Sequence, residues 1–314
     1  MQRIFTAALC AALLMAGPAR AEGVVKLVVP FAPGGPVDQV ARLVAPDLST
    51  ELGATVVVEN RGGAGGTIGA NAVAKAVPDG QTLLVATLGY VMSAGTTPHL
   101  PYDPRKDLTP LYLFGQVQSL LVVRNSLGVS TPAELVKLAR SGAPLSYGSS
   151  GVGSTMHIGG ELFNIAAGAK ATHVPYRGAA PALIDLIAGR VDMVNADVPV
   201  LQPYVKDGRV KAIVIYDTQR SPYLPDVPSA QEAGLPALQM SNWYGALAPA
   251  ATPLATRQRL EQAFAKVIAK PELARKLADA GLSGPLGAAD FQAKLNADLD
   301  RWVPMIRQAG IRTE

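Results

Sequence analysis

Cysteine is almost missing from this chain, and the single one, Cys10, sits inside an apolar stretch close to the N-terminus. Leu9 precedes it, where a lipoprotein cysteine would follow a small residue. Removal of a leader takes Cys10 with it, so the mature chain is expected to have no disulfide and no thiol chemistry. Histidine is nearly as scarce, and His99, His157 and His173 lack the spacing of a metal site. No apolar run reaches the roughly 20 residues needed to span a bilayer. No G-x-G-x-x-G fingerprint is present, and no Gly-Lys-Ser/Thr follows a glycine loop, which excludes a P-loop. Basic residues form no stripe, and loss of Arg3 and Arg20 with the leader brings the 28 basic residues closer to the 24 acidic ones. Nothing there calls for nucleic acid. Charged residues make up only 17% against 49% apolar, so the chain can bury a large core and is not disordered.

What is present begins with a secretory leader. Arg3 forms its basic end, residues 4–17 its apolar part, and Ala19-Arg20-Ala21 a small-x-small cleavage site. A soluble, exported protein cleaved after Ala21 is expected, located in the periplasm.

The stretch 26–45 organises the rest of the chain. Residues 27–30 read as a buried strand, which Ala32-Pro33-Gly34-Gly35-Pro36 cannot continue. Apolar residues then recur at Val37, Val40, Ala41 and Val44, a helical period. A strand, a glycine turn and a helix result, and the turn presents backbone N–H groups at a helix N-terminus, where an anion fits. The pattern returns around Ser149-Ser150-Gly151-Val152-Gly153-Ser154, and again at Tyr176-Arg177-Gly178-Ala179. Two such turns facing each other would make a carboxylate cleft.

Further strands are predicted at 55–59 and 82–86, with a helix over 68–77 between them and a loop-rich connection through 102–110. Residues 120–123 read as a strand leaving a first lobe. Thr131-Pro132 opens a helix. A second set of strands is predicted near 145–148, 172–175, 191–194 and 212–216, with helices near 155–167, 181–188 and 200–206. The proline-rich stretch 221–236 reads as an extended return path, and 243–248 as a further strand. Thr252-Pro253 is expected to cap a helix that Lys270-Pro271 interrupts. The last helix carries Phe291, Leu295, Leu299, Trp302 and Ile306 on one stripe, which reads as core packing. Strands alternating with helices indicate doubly wound α/β units.

Three kinds of chemistry compete for the glycine loops. Glu59, at the end of the second strand, mimics the ribose-binding acid of a dinucleotide fold, but the glycine fingerprint is lacking. An exported α/β hydrolase could use Ser149 or Ser150 with His157, yet Val152 stands where a nucleophile elbow needs glycine. His157 follows Ser154 in a first helical turn, where the dipole disfavours its protonated form, so it reads as a neutral hydrogen-bonding residue. Backbone and hydroxyl donors are the shared resource. Each net hydrogen bond to a charged group contributes about 1.5–3 kcal/mol, so four to six donors on one carboxylate can reach about −8 kcal/mol, micromolar binding. That suffices for a receptor.

The ordered motifs resemble the Bug (TctC-like) family, the extracytoplasmic solute receptors of tripartite tricarboxylate transporters. They run through Pro30-Phe31-x-Pro33-Gly34-Gly35-x-x-Asp38, Val57-Val58-Glu59-Asn60-Arg61, Pro78-Asp79-Gly80, Tyr102-Asp103-Pro104, Tyr147-x-Ser149-Ser150-Gly151-x-Gly153-Ser154-x-x-His157, Val174-Pro175-Tyr176-Arg177-Gly178, Pro225-Asp226-Val227-Pro228 and Trp243-Tyr244-Gly245-x-Leu247-Ala248-Pro249. The resemblance implies a two-lobed periplasmic binding protein of type II, the Venus flytrap, with a doubly wound sheet in each lobe. It divides the chain into a signal peptide (1–21), lobe I (22–118), lobe II (119–240) and a return to lobe I with C-terminal helices (241–314).

The ligand site implied comprises Phe31, Pro33, Gly34, Gly35, Asp38, Thr87, Ser149, Ser150, Gly151, Gly153, Ser154, His157, Arg177, Gly178, Ala179 and Asp197. Partners implied are a small carboxylate and the permease subunits of a membrane transporter. No enzyme activity, metal or cofactor is expected, and a monomer is. A ligand-loaded partner of a membrane sensor would keep the same fold. Five positions depart from the family's pattern: Ala179 for serine, Ala196-Asp197 for Asp-Asn, Gly62 for proline and Gln81 for tyrosine. Asp197 has two readings, a solvated or capping carboxylate before Pro199, or a cleft residue. In the cleft it would repel a second ligand carboxylate and accept an ammonium or hydroxyl group, unless Arg177 neutralises it.

Overall fold

The computed structural model describes residues 23–312; the expected leader and its cleavage site lie outside them. The opening unit is β1 (Val24–Val29), α1 (Pro36–Leu52), β2 (Thr55–Asn60), a 3-10 turn at Ala64–Gly66, α2 (Thr67–Ala74), β3 (Thr82–Thr87) and α3 (Leu88–Thr96). In β1, Val25, Leu27 and Val29 face a core shared with Val40, Val44 and Leu48 of α1, while Val28 faces the opposite core with Leu84. Burial on both faces is why the strand reads as one apolar run rather than an alternation. Pro36 occupies the first turn of α1, where its missing N–H costs nothing, and Gly53 ends the helix in a left-handed conformation.

β4 corrects the sequence reading. Residues 108–110 were expected in a loop and 120–123 as a short strand, but one strand runs Leu108–Arg124. Its register shifts between Pro110 and Tyr112 and again between Leu113 and Gly115. These bulges break the alternation that would have revealed it, leaving only the doubly buried apolar end visible. The partner changes along the strand: Gln118 pairs with Ser241 of β9 (Ser241–Pro249), whereas Ser119 pairs with Asp197 of β7 (Met193–Asp197).

Beyond β4 come α4 (Pro132–Arg140), β5 (Ser146–Ser149), α5 (Thr155–Ala167), β6 (Thr172–Pro175), α6 (Ala179–Ile187), β7, α7 (Val198–Lys206) and β8 (Val210–Ile215). Thr131 and Glu134 close a full capping box on α4. After β9 follow α8 (Leu254–Ile268), α9 (Pro271–Asp279), β10 (Leu286–Gly287) and α10 (Ala288–Gln308). Thr252 does not cap α8 as expected: Pro253 holds the cap position, and the buried Thr252 hydroxyl has no partner among the described residues. The stripe Phe291, Leu295, Leu299, Trp302 and Ile306 is buried as read, with α10 packed on α3 and β4.

The strands form one path, β2-β1-β3-β9-β4-β7-β5-β6, with β8 and β10 also on β4. One half is parallel through β2, β1 and β3, the other through β6, β5 and β7; β4 and β9 are the antiparallel seam between them. Open α/β sheets bind ligands beyond the carboxyl ends of their parallel strands. Here the two sets of ends face one another.

Candidate functional site

Five helix N-termini, those of α1, α3, α5, α6 and α7, meet at a cavity of about 50 Å³ between the halves. Its lining includes Gly35 and Val37 at α1, Thr87 at α3, Thr155 and Met156 at α5, Gly178 and Ala179 at α6, and Asp197 at α7. No side chain caps α1, α6 or α7, whereas Thr87 and Ser154 cap α3 and α5. Each N-terminus carries about half a positive charge, which offsets the Asp197 carboxylate in a wall that has no lysine or arginine. A wider space of about 650 Å³ opens outward across Phe31, Ala32, Ser150 and Gly178, and Pro33, Gly151 and Arg177 line that mouth. A third space of about 440 Å³ lies on the side of Gly34, with Asp197 and Tyr244 shared between it and the inner cavity.

Other residues named from the sequence stand one layer beneath and hold the turns. Asp38, buried, accepts the Gly34 N–H at 2.9 Å, Asn60 Nδ2 at 2.9 Å and Arg42 Nε at 2.9 Å. Burial raises its carboxyl, but those three hydrogen bonds outweigh it and hold the group below the ordinary carboxylate range. Ser149 Oγ accepts the Gly151 N–H at 3.1 Å and shares a 2.6 Å hydrogen bond with His173 Nε2. His157 Nδ1 accepts the Gly153 N–H at 3.0 Å, and Ser154 Oγ accepts the His157 N–H at 3.3 Å. The hydrolase pairing of Ser149 or Ser150 with His157 is therefore not the one the geometry makes. The histidines far apart in sequence do meet: the His157 and His173 rings stack at 4.0 Å, against Tyr147. Among the described residues no acid, histidine and cysteine group is placed to hold a metal.

Asp197 faces the cavity. It occupies the cap position of α7 without capping it, and its oxygens instead accept the Tyr244 hydroxyl and Asn242 Nδ2, the latter at 3.2 Å to each oxygen. Asn242 is oriented by its own Oδ1, which accepts Leu88 N–H at 3.3 Å and Trp243 N–H at 2.9 Å. Arg177 is exposed at the outer mouth and does not pair with Asp197. Sequence reading missed Asn195, Asn242 and Tyr244. Asn242 and Tyr244 share the polar face of β9 and flank the buried Trp243, a period-two signal that only points at the cleft once β4 is known to bring the start of β9 next to the end of β7.

These features define a two-lobed periplasmic binding protein with a cavity between its halves. The periplasmic binding protein BugD superposes with a TM-score of 0.87 at 32% identity, covering 93% of this chain and 99% of that one. The model of the tripartite tricarboxylate transporter family receptors matches residues 40–311, and the chain belongs to that family. A UPF0065 protein from the tcbD-tcbE intergenic region of Pseudomonas sp. (strain P51) is 38% identical over 282 residues, 89% of this chain and 84% of the relative. MatC from Rhodopseudomonas palustris, solved with bound malate, gives a TM-score of 0.85 at 34% identity, over 92% of this chain and all of that one (100%). The family comprises periplasmic receptors for small carboxylates that work with membrane transporter components. Among the described residues no helix is long and apolar enough to cross a membrane.

The buried titratable groups set a pH dependence. Burial pushes His157 down to about 4. His173 is also pushed down to about 4, by burial and then by His157, with Glu161 opposing. Histidines kept neutral stabilise the fold fully above about 6.5, the unfolded value, and lose that contribution as pH falls toward 4. Asp197 runs the other way: burial raises it to about 6, so its contribution is present below 3.8 and lost as pH rises through 6. Two histidines outweigh one carboxyl, and unfolding free energy should fall by on the order of 3 kcal/mol between pH 6.5 and 4. Urea denaturation across that range checks it, and Asp197→Asn should steepen the fall. A flat or rising profile on acidification would rule out the neutral histidines.

Proposed function

We propose that this chain captures a small carboxylate between its lobes and delivers it to the membrane subunits of a tripartite transporter, with no reaction of its own. The supporting observation is the convergence of five helix N-termini from both lobes on one cavity that has no cationic side chain in its wall. Such a site recognises an anion through backbone donors and dipoles. Gly35, Thr87, Ser150, Gly178 and Ala179 meet the ligand in this reading, while Asp38, Ser149, Gly153, Ser154 and His157 fix the turns that present those donors. Lobe II extends over 119–240, with hinges at 118/119 and 240/241, the first of them where β4 exchanges β9 for β7. The mature protein begins after Ala21 and acts as a monomer.

Titration of ligand-free, refolded protein with malate, succinate and related acids, combined with solution scattering, tests the reading. Heat of binding, a smaller radius of gyration at saturation and unchanged ligand on recovery are expected. Gly35→Val places a side chain at the mouth of α1, where an added Cβ meets only the Ala32 carbonyl at 3.6 Å. The fold should survive, and affinity should drop about tenfold or more through lost access to the N–H groups. Parent affinity in that variant, or consumption of the acid, would sink the assignment.

A further inference from the structure

Six cations scattered between positions 137 and 211 are gathered by the fold at one pole of the half built on β6, β5 and β7. The carboxyl ends of those strands face the cleft, so the turns at their amino ends lie at the opposite end. β4 ends there too: Val123 pairs with Met193 at the start of β7, and Arg124 with Val210 at the start of β8. The same ladder sets Lys211 opposite Val123. Asn125 Nδ2 donates to the Gly208 carbonyl at 2.6 Å, which brings Lys206 and Arg209 beside the end of β4. Arg140 Nε donates to the Ala167 carbonyl at 2.7 Å, joining the end of α4 to the end of α5 and the Lys170 that follows it. Lys137 stands one turn earlier on α4.

Two further cations of this pole are neutralised, Arg124 by Asp192 at 2.8 Å and Arg190 by Asp185 at 2.5 Å. Lys137, Arg140, Lys170, Lys206, Arg209 and Lys211 are exposed and form no ion pair among the described residues. The exposed acids beside them are Glu134 and Asp207, so six positive charges stand against two negative ones. The whole chain has a formal charge of +4, and this one pole carries as much. Helix C-termini favour cations, which accounts for Lys137, Arg140 and Lys206 in the last turns of α4 and α7. It does not account for Lys170, Arg209 and Lys211, which lie on no helix. We propose that this pole is a docking surface for a bilayer carrying anionic phospholipids. The charges are spread over the connections before β5, β6 and β8, and none of them lines the three spaces around the cleft. No pocket gathers them around a single phosphate, whereas a sheet of laterally mobile headgroups pairs with cations spaced in this way. Each lysine or arginine near such a surface adds to an attraction that decays within a Debye length, about 8–10 Å at ordinary ionic strength. Docking at the amino ends of the strands leaves the cavity at their carboxyl ends open.

Co-sedimentation of the leader-free chain with phosphatidylcholine vesicles, with and without about 30 mol% phosphatidylglycerol, tests the surface. Partitioning should be at least about tenfold higher on the anionic vesicles at about 20 mM salt, and should fall steeply by about 300 mM. The triple variant Lys206→Glu, Arg209→Glu, Lys211→Glu should lose that preference with its circular dichroism retained. Lys75→Glu, Lys106→Glu and Arg275→Glu together make the same charge change at exposed sites in the other half, and that variant should keep most of the preference. The milder pair Lys170→Gln and Lys211→Gln should weaken partitioning about two- to fivefold at an unchanged melting transition, which keeps the test open should charge reversal unfold the chain. Equal losses in the two triple variants would reduce the effect to net charge and overturn the docking surface. Equal partitioning of the parent chain on both kinds of vesicle would overturn it too. Capture on immobilised polyglutamate without any preference for anionic vesicles would assign the pole to an acidic protein, against this proposal.

Discussion

Gly65→Ala is expected to leave the protein folded but unable to close, with ligand affinity reduced by at least about 100-fold. The 3-10 turn carrying Gly65 belongs to the first lobe and touches the glycine turn of the second. An added Cβ at Gly65 would lie 2.1 Å from the Val152 carbonyl oxygen and 3.3 Å from the Gly153 carbonyl carbon. Both obstacles are backbone, so no rotamer relieves them, and Gly151 on the facing side is equally bare of side chain. Separation of the lobes is the least costly way out. Gly65 also has φ of +63°, which for alanine costs roughly 1–2 kcal/mol by itself. Gly168→Ala separates the two effects: φ there is +62°, yet nothing lies within 4 Å. Both variants should lose similar stability in urea, while only Gly65→Ala should lose binding and the ligand-induced fall in radius of gyration. If Gly65→Ala binds and compacts like the parent chain, the contact is not a condition of closure.

Trp243→Ala should be the most destabilising single truncation near the site, by about 3–5 kcal/mol. Trp243 is fully buried, packs edge-on against Phe291 at 5.1 Å and donates its indole N–H to Asp298 at 2.9 Å. It fastens β9 to α10 from the side opposite the cleft, and its two neighbours, Asn242 and Tyr244, are the residues that hold Asp197. Loss of the indole leaves a cavity and an unmatched Asp298 oxygen, although Lys294 at 3.3 Å partly compensates the latter. Trp243→Phe should recover much of the packing but not the hydrogen bond. Equilibrium unfolding of the three proteins checks the order, parent above Trp243→Phe above Trp243→Ala. A Trp243→Ala loss below about 1 kcal/mol would show that β9 is held chiefly by its ladders with β3 and β4.

Much of this fold can be read in the chain because its signals are local. β6 at 172–175 and α5 at 155–167 fall where the sequence puts them, since the β-branched Thr172 and Val174 ending at Pro175 and a helix capped by Ser154 carry their own boundaries. β4 was half hidden because two bulges suspend the alternation that marks a strand. The glycine turns were legible, as proline and glycine at a strand–helix junction leave backbone N–H groups open whatever surrounds them.

The depth of each residue was not legible. Asp38, Gly153 and His157 share motifs with Gly35 and Ser150, yet they lie behind the turns, because adjacent residues on a helix start point in different directions. The meeting of His157 with His173, and of Asp197 with Asn242 and Tyr244, joins strands whose pairing is non-local. By itself the sequence determined most of the elements, the glycine turns and the family, all set by local spacing and ordered motifs. Only the tertiary structure decided which donors face one cavity, that Arg177 stays outside it and that Asp197 is buried there without a cation, because side-chain direction and long-range strand order arise from packing.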